Sequence, residues 1–356
     1  MHNILREDLQ YITSADLPWQ NFDGCTILVS GASGFLPFFM IETLLFLNDK
    51  FNINIKIIAL VRNKEKSLKR FSRHLERDNL TFLFQDVCSA VEIDERVDYI
   101  IHAASQCSPI YYEKDPVGTL SANIVGTTNL LKLAKENSVR GFLFFSTGGV
   151  LGRIKGKNIP AKEEDYGYID PINVRSCYNQ SKKMAENICV SWNHQYGVPV
   201  KIVRPSYVYG IEMPLNDGRA FSNFLSNILN NTPLVVVNGE RHTRSFCYIS
   251  DATLAFFIVL LKGISGQPYN VGSEQETSIK KLATTMITTA GPRYNKDIVF
   301  KTKNVDDKNQ RGSIDRSCFD ITKIKSLGWT PRYDLTDGLE RVSEYYRVKK
   351  TKLTGE

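Results

Sequence analysis

Tyr178 and Lys182 stand one helical turn apart in the segment YNQSK (178–182), so both side chains project from the same face. A lysine ammonium there would lower the tyrosine pKa and leave the hydroxyl ready to give or take a proton near neutrality. A second hydroxyl, Thr147 in STGGV (146–150), is placed to hydrogen-bond the same substrate oxygen. The chemistry implied is proton transfer at an oxygen, coupled to a change at the carbon that bears it. A YxxxK pair means little alone. Its weight comes from order: a glycine turn, then Ser-Thr at a strand end, then YxxxK.

The glycine turn is GASGFLP (31–37), set between an apolar run and a helical stretch in TILVSGASGFLPFFMIETLLFLN. Gly31 permits the turn, and Gly34 lets backbone approach a pyrophosphate. The amides of Phe35 and Leu36 then point at the phosphates from a helix N-terminus. Pro37 replaces the third glycine of GxxGxxG but falls in the first helical turn, where its missing N–H is tolerated. A structural strand-to-helix turn looks the same, and the flanking elements favour a dinucleotide. At the next strand end, Val61, Arg62 and Asn63 replace the acid that a NAD site uses for the ribose. Arg62, with Ser33, would pair with the 2′-phosphate, so NADP(H) is expected over NAD; a plain surface arginine is the alternative. Asp86 in QDV (85–87) would meet the adenine amino group or serve as a turn residue. A carbonyl held by Thr147 and Tyr178 beside nicotinamide would receive hydride at carbon while Tyr178 protonates its oxygen.

The elements that must position these residues are legible as alternation. TILVS (26–30), KIIALV (56–61), LTFLF (80–84), DYIIHAA (98–104), GFLFFST (141–147) and VKIVRP (200–205) are continuous apolar runs, as in a parallel sheet covered on both faces. Helices are expected over 35–49, 64–77, 115–137 and 178–196. The order predicts an α/β fold with a Rossmann-type doubly wound parallel sheet. After residue 211 turn signals crowd in, predicting a smaller α+β lobe. The expected division is an N-terminal extension over 1–22, a nucleotide-binding domain over 23–210 with 245–272 returning to it, and a substrate lobe of 211–244 and 273–356.

Composition bounds the function. The chain has 356 residues, is 42% hydrophobic and 23% charged, and carries a net charge of +7. That charge suits an anionic small ligand; a nucleic-acid partner is not expected, because the basic stretch RNKEKSLKRFSR (62–73) reads as a solvated helix face. No apolar run is long enough to span a membrane and no signal peptide is seen, so neither a membrane nor export is expected. Seven scattered cysteines without CxxC fit reduced thiols in a cytoplasm. Five histidines lack ligand spacing, so no metal is expected.

Together with IIHAAS (100–105), NIVGTTNLL (123–131), VRPSYVYG (203–210), RSFCYISDA (244–252) and SLGWTP (326–331), these motifs resemble the extended short-chain dehydrogenase/reductases that act on nucleotide sugars. The resemblance runs from about residue 24 to 345. It implies a catalytic set of Thr147, Tyr178 and Lys182 and a cofactor wall of Val87, Ala103, Ala104, Ser105, Asn123 and Pro205, which Tyr178 and Lys182 join. It also implies that Ser105, Thr147, Tyr207, Arg244 and Arg311 face the substrate, Arg244 and Arg311 at its diphosphate; a salt bridge between lobes is the other reading of Arg244. Tyr207 replaces an asparagine often seen near the sugar. A homodimer through the helices at 115–137 and 178–196 is implied too.

Similar dehydratases of dTDP-glucose carry Asp-Glu directly after the threonine, to move protons at sugar carbons, and UDP-glucuronate decarboxylases keep a glutamate there. Gly148 and Gly149 hold those places here, which argues against both reactions. Reduction of a keto-sugar and 4-epimerisation with tightly held NAD survive, and Arg62 favours reduction. A third possibility is a non-catalytic redox sensor or scaffold, against which the intact Thr147, Tyr178 and Lys182 count. GFLP, LVRN and STGG in combination resemble bacterial reductases of dTDP-4-keto-6-deoxy-glucose in O-antigen synthesis.

Overall fold

Apolar runs too short for helices become strands, and stretches rich in helix formers close over them. The computed structural model describes residues 1–154, 159–215, 217–237, 242–291, 297–301 and 316–354. In chain order the elements of the first half are α1 (Asn3–Thr13), β1 (Thr26–Ser30), α2 (Phe35–Phe51), β2 (Lys56–Val61), α3 (Lys64–Arg70), β3 (Leu80–Phe84), β4 (Tyr99–His102), α4 (Tyr111–Lys114), α5 (Pro116–Asn137), β5 (Gly141–Phe145) and α6 (Cys177–Tyr196). The second half follows with β6 (Val200–Pro205), β7 (Tyr207–Tyr209), α7 (Ala220–Leu229), β8 (Leu234–Val237), β9 (Thr243–Tyr248), α8 (Ile249–Lys262), β10 (Pro268–Val271), β11 (Glu276–Ser278), α9 (Ile279–Ala290), β12 (Ile298–Lys301), β13 (Arg316–Ser317), α10 (Thr322–Lys325) and α11 (Leu335–Thr354).

The main sheet has seven parallel strands in the order β10-β6-β5-β4-β1-β2-β3. Every residue of β1, β4 and β5 is buried, which is why these runs do not alternate polar with apolar. Strand order reverses between β1 and β4, and in open α/β sheets the crevice at such a reversal receives the ligand. The sheet is the Rossmann-type doubly wound sheet expected.

Local signals set the helix ends. Asp115 accepts from the Gly118 N–H at 3.0 Å and Pro116 opens α5, a cap followed by a residue that needs no N–H partner. Gly197, at φ 71°, ends α6. The helix expected over 64–77 stops at Arg70, because Phe71 turns into the core against Phe38 and Phe82, with centroids 5.3 and 5.6 Å away. The strands expected to reach Ala104 and Thr147 end at His102 and Phe145. The residues beyond leave the ladder to line the crevice.

A second sheet is assembled from distant segments: β9 pairs with β7, β11 and β13, and β8 pairs with β12 apart from it. By pairing, the chain passes between the sheets after Pro205 and returns through α8 to β10. The first helix is part of the molecule's core. Leu5, Leu9 and Ile12 of α1 are buried, and Asp8 accepts from the Tyr248 hydroxyl at 2.9 Å and from Arg341 on α11 at 2.8 Å. No helix among the described residues is long and apolar enough to cross a membrane.

Candidate active site

Gly31 has φ +67°, and a Cβ there would lie 2.7 Å from the Ala104 Cα. The turn after β1 and the segment after β4 therefore meet backbone to backbone at the strand-order reversal, which only glycine permits. Gly34 follows as the N-cap of α2, with Pro37 buried in the first turn. The first N–H groups of the helix, those of Phe35 and Leu36, have no intrahelical acceptor. Ser33, Phe35, Leu36, Ala103 and Ala104 are all partly exposed around this cradle. The Ser105 Oγ and Asn123 Oδ1 atoms are buried without a hydrogen-bond partner. A cradle that a Cβ would fill, with a helix N-terminus facing it, fits a dinucleotide pyrophosphate.

At the outer end, Arg62 and Asp86 pair at 3.4 Å. The Cys88 N–H donates to Asp86 at 2.9 Å, and this bond holds the Asp86 carboxyl below its usual range. Arg62 is mostly exposed, and among the described residues Asp86 is the side chain it pairs with. Val87 sits behind the crevice, buried against Gly126 of α5. Asn123 is also fully buried and donates to Ser181 at 2.9 Å. It closes a polar chain from Ser30 Oγ to His102 at 2.7 Å, from His102 to Thr127 at 3.0 Å, and from Thr127 to the Asn123 carbonyl. Burial holds the His102 pKa well below its usual value, so the link between glycine turn and α6 is uncharged. Pro205 closes β6 at the same end of the sheet, half-buried.

Thr147, Tyr178 and Lys182 come together at the C-terminal end of β5. The Thr147 hydroxyl accepts from the Gly149 N–H at 3.2 Å and is hydrogen-bonded with the Tyr178 side chain. Lys182 is buried beneath them, its ammonium donating to the Phe145 carbonyl at 2.6 Å over the Phe144 ring. Burial brings the Lys182 pKa down to about 8 and pushes Tyr178 above its usual value. This corrects the expectation that lysine charge lowers the tyrosine pKa: loss of water outweighs every charge around it. The cation that favours the ionised tyrosine is instead Arg219. The phenol is thus held protonated, as a proton donor must be.

A sequence model described as the NAD dependent epimerase/dehydratase family matches residues 27–272. The chain belongs to that family. UDP-glucuronic acid decarboxylase 3 of Arabidopsis thaliana is 34% identical over 324 residues, 91% of this chain and 89% of its own length. UDP-glucuronic acid decarboxylase 1 of Xenopus tropicalis is 33% identical over 323 residues, 90% of this chain and 72% of its own. Among solved structures, UDP-glucose 4-epimerase of Thermotoga maritima superposes with a TM-score of 0.77 at 23% identity, covering 91% of this chain and 99% of that one. A dTDP-glucose 4,6-dehydratase of Bacillus anthracis, in complex with NAD, superposes with 0.75 at 24% identity, covering 92% and 98%. At these identities the two structures attest the shared fold.

Within this epimerase/dehydratase frame, three side chains that sequence reasoning missed complete the site. Tyr112 of α4 stacks on Tyr178, centroids 5.1 Å apart and planes 12° from parallel. Arg219, just before α7, donates to the Cys107 carbonyl at 3.1 Å, which also accepts from the Tyr112 hydroxyl at 3.0 Å. Phe319 arrives from the far end of the chain: a Cβ on Gly148 would lie 1.8 Å from its ring tip. None of the three lies in a motif singled out from the sequence, and only folding brings them near Thr147. Of the expected substrate residues, Arg244 lies over the Tyr207 ring at 5.2 Å and donates to the Thr243 carbonyl at 2.7 Å. Arg311 lies outside the described residues.

Proposed function

We propose that the protein reduces the 4-keto group of a nucleotide-activated 6-deoxy sugar with NADPH, dTDP-4-keto-6-deoxy-glucose being the first substrate to try. One observation carries the reading. Thr147, Tyr178 and Lys182 are assembled for carbonyl chemistry, while the two positions after Thr147 hold no acid. A Cβ on Gly148 meets the Phe319 ring, and a Cβ on Gly149 would lie 2.2 Å from the Asn179 amide oxygen. Dehydration needs a general acid and base within hydrogen-bond reach of the reacting carbons, and similar decarboxylases keep a glutamate in the places that Gly148 and Gly149 hold here, so neither reaction is carried over to this chain.

Gly31, Gly34 and the first amides of α2 would hold the pyrophosphate, and Arg62 with Ser33 the 2′-phosphate. A bound dihydronicotinamide supplies the hydride that arrives at C4. Thr147 holds the C4 oxygen, and Tyr178 delivers its proton to that oxygen, giving the alcohol. Lys182, donating to the Phe145 carbonyl, fixes the height of α6 against β5, and with it the place of Tyr178 one turn before. The smaller lobe, 211–244 and 273–356, would take the nucleotide, with Arg244 over Tyr207 toward its diphosphate. We also infer a homodimer through α5 and α6, whose Val117, Val125 and Met184 are exposed.

A second reading, 4-epimerisation with retained NAD, uses the same Thr147, Tyr178 and Lys182, and the likeness to an epimerase fold keeps it open. A panel of keto and hydroxy nucleotide sugars, read by nicotinamide absorbance and product NMR, separates the two. Consumption of NADPH by keto-sugars supports reduction. Interconversion of C4 epimers without net cofactor change supports the alternative.

A further inference from the structure

Glu186 is a buried acid that the chemistry above does not use. It stands on α6 one turn after Lys182 and two turns after Tyr178, so the three side chains project from one stripe of the helix. Its carboxylate is reached from two neighbouring strands. One residue past β5, the Ser146 hydroxyl donates to Oε1. From β6, Arg204 forks onto it, Nε donating to Oε1 at 2.9 Å and Nη2 to Oε2 at 2.6 Å. Another arm of the same guanidinium, Nη1, donates to the Glu163 carbonyl at 2.7 Å. The Glu163 carboxylate in turn accepts from the Asn270 N–H of β10 at 2.8 Å. Both members of the pair are buried, Glu186 at 8% exposure and Arg204 at 1%.

A buried ion pair is a poor source of stability. Taking both charges out of water offsets much of their attraction, and well-packed apolar side chains of similar volume often hold a core as well. What the pair supplies is direction, because a forked arginine takes a carboxylate in one plane and at one height. Here that height is set against the backbone that carries Thr147. Ser146 is the residue before Thr147, and Lys182 donates to the carbonyl of Phe145, the residue before that. Side chains from two consecutive turns of α6 thus grip the two residues that lead into Thr147. We propose that Glu186 is a positioning residue: held by Arg204, it fixes α6 lengthwise against the end of β5 and so sets the Tyr178 hydroxyl opposite Thr147. The inference rests on the reading of Thr147 and Tyr178 as the pair that holds and protonates the substrate oxygen. A slip of α6 by one residue is about 1.5 Å, and misplacing reacting groups by about 1 Å can cost about 10²-fold in rate.

Two variants of the full chain test this, assayed with NADPH and dTDP-4-keto-6-deoxy-glucose well below their melting temperatures. Ser146→Ala cuts the carboxylate from β5, while both arms of Arg204 stay on it. It should lower kcat by about tenfold or more, with KM, the NADPH Kd and full NADPH occupancy unchanged. Glu186→Met combined with Arg204→Met removes both charges and keeps the core filled. Its melting temperature should stay near that of the unsubstituted protein or rise, while kcat falls by about 10²-fold. Should the double variant fail to fold, Ser146→Ala decides. Unchanged kcat in Ser146→Ala overturns the role of Glu186 and leaves the ketoreductase reading standing. A fall in kcat that only tracks a fall in NADPH occupancy marks a loss of folded protein and overturns it too. Absence of turnover by the unsubstituted protein with every keto and hydroxy nucleotide sugar, although NADPH binds, overturns both.

Discussion

Tyr178 works in a setting that keeps its proton on. Burial raises its pKa, Tyr112 stacks on its ring, and Thr147 hydrogen-bonds its side chain. A group so held suits the acid that completes a reduction. Tyr178→Phe keeps the stack and removes the proton, so reduction should fall by about 10²-fold or more, the scale of a lost general acid, while NADPH binding stays nearly intact. Unchanged turnover would refute the mechanism. Arg62 makes a separate claim. It pairs with Asp86 at 3.4 Å, and in the proposed reading it meets a 2′-phosphate. Arg62→Asp should weaken NADPH binding by about tenfold or more, the worth of a charged hydrogen bond, and shift preference toward NADH. Equal affinity of the unsubstituted protein for the two cofactors, measured by titration, would sink this claim.

At the scale of elements, the turn from β1 into α2 decides how close the phosphates come. Pro37 lies in the first turn of α2, and its ring Cγ is 3.3 Å from where a Cβ on Gly34 would be. Because that position has no hydrogen bond to lose, Pro37→Gly should leave NADPH affinity within a few-fold and cost roughly 1 kcal/mol of stability at most, through the freer unfolded chain. Isothermal titration and thermal melts decide it; a large loss of affinity would mean that the proline ring shapes the phosphate loop. The same turn shows what a reading of residues can reach. β1, β2, β3 and β6 begin and end where their apolar runs do, since burial on both faces writes itself as unbroken hydrophobicity. The sheet around β9 is not legible in that way. Its strands are two to six residues long, come from separate segments, and are defined by their partners. Phe319 belongs with them. Nothing in RSCFDIT announces a ring that will stand beside Thr147, because the relation exists only after β13 has paired with β9. The fate of Phe71, which ends α3 early, was equally invisible, since helix-forming residues on its other side gave no stop signal.

Across the whole molecule, the first and last helices are tied through one buried carboxylate. Asp8 is fully buried between Tyr248 and Arg341, and burial raises its pKa from 3.8 to about 6 despite the arginine. A carboxyl whose folded pKa is raised holds its proton more tightly in the native state. Its contribution is therefore present below pH 3.8 and lost as pH rises through about 6. Asp8→Asn, which mimics the protonated form, should gain stability relative to the unsubstituted protein between those pH values, by on the order of 3 kcal/mol, with the difference constant above pH 7. Denaturant melts across the range measure it, and a difference independent of pH would contradict the assignment. The function of the assembled molecule rests on one stoichiometry. Purified protein is mixed with dTDP-4-keto-6-deoxy-glucose and a limiting amount of NADPH, and oxidised cofactor and product are counted together by absorbance and NMR. The account predicts one 4-hydroxy sugar for each NADPH oxidised, and no formation of the keto-sugar from dTDP-glucose. C4 epimers appearing with no NADPH consumed, or dTDP-glucose converted to the keto-sugar, would contradict it.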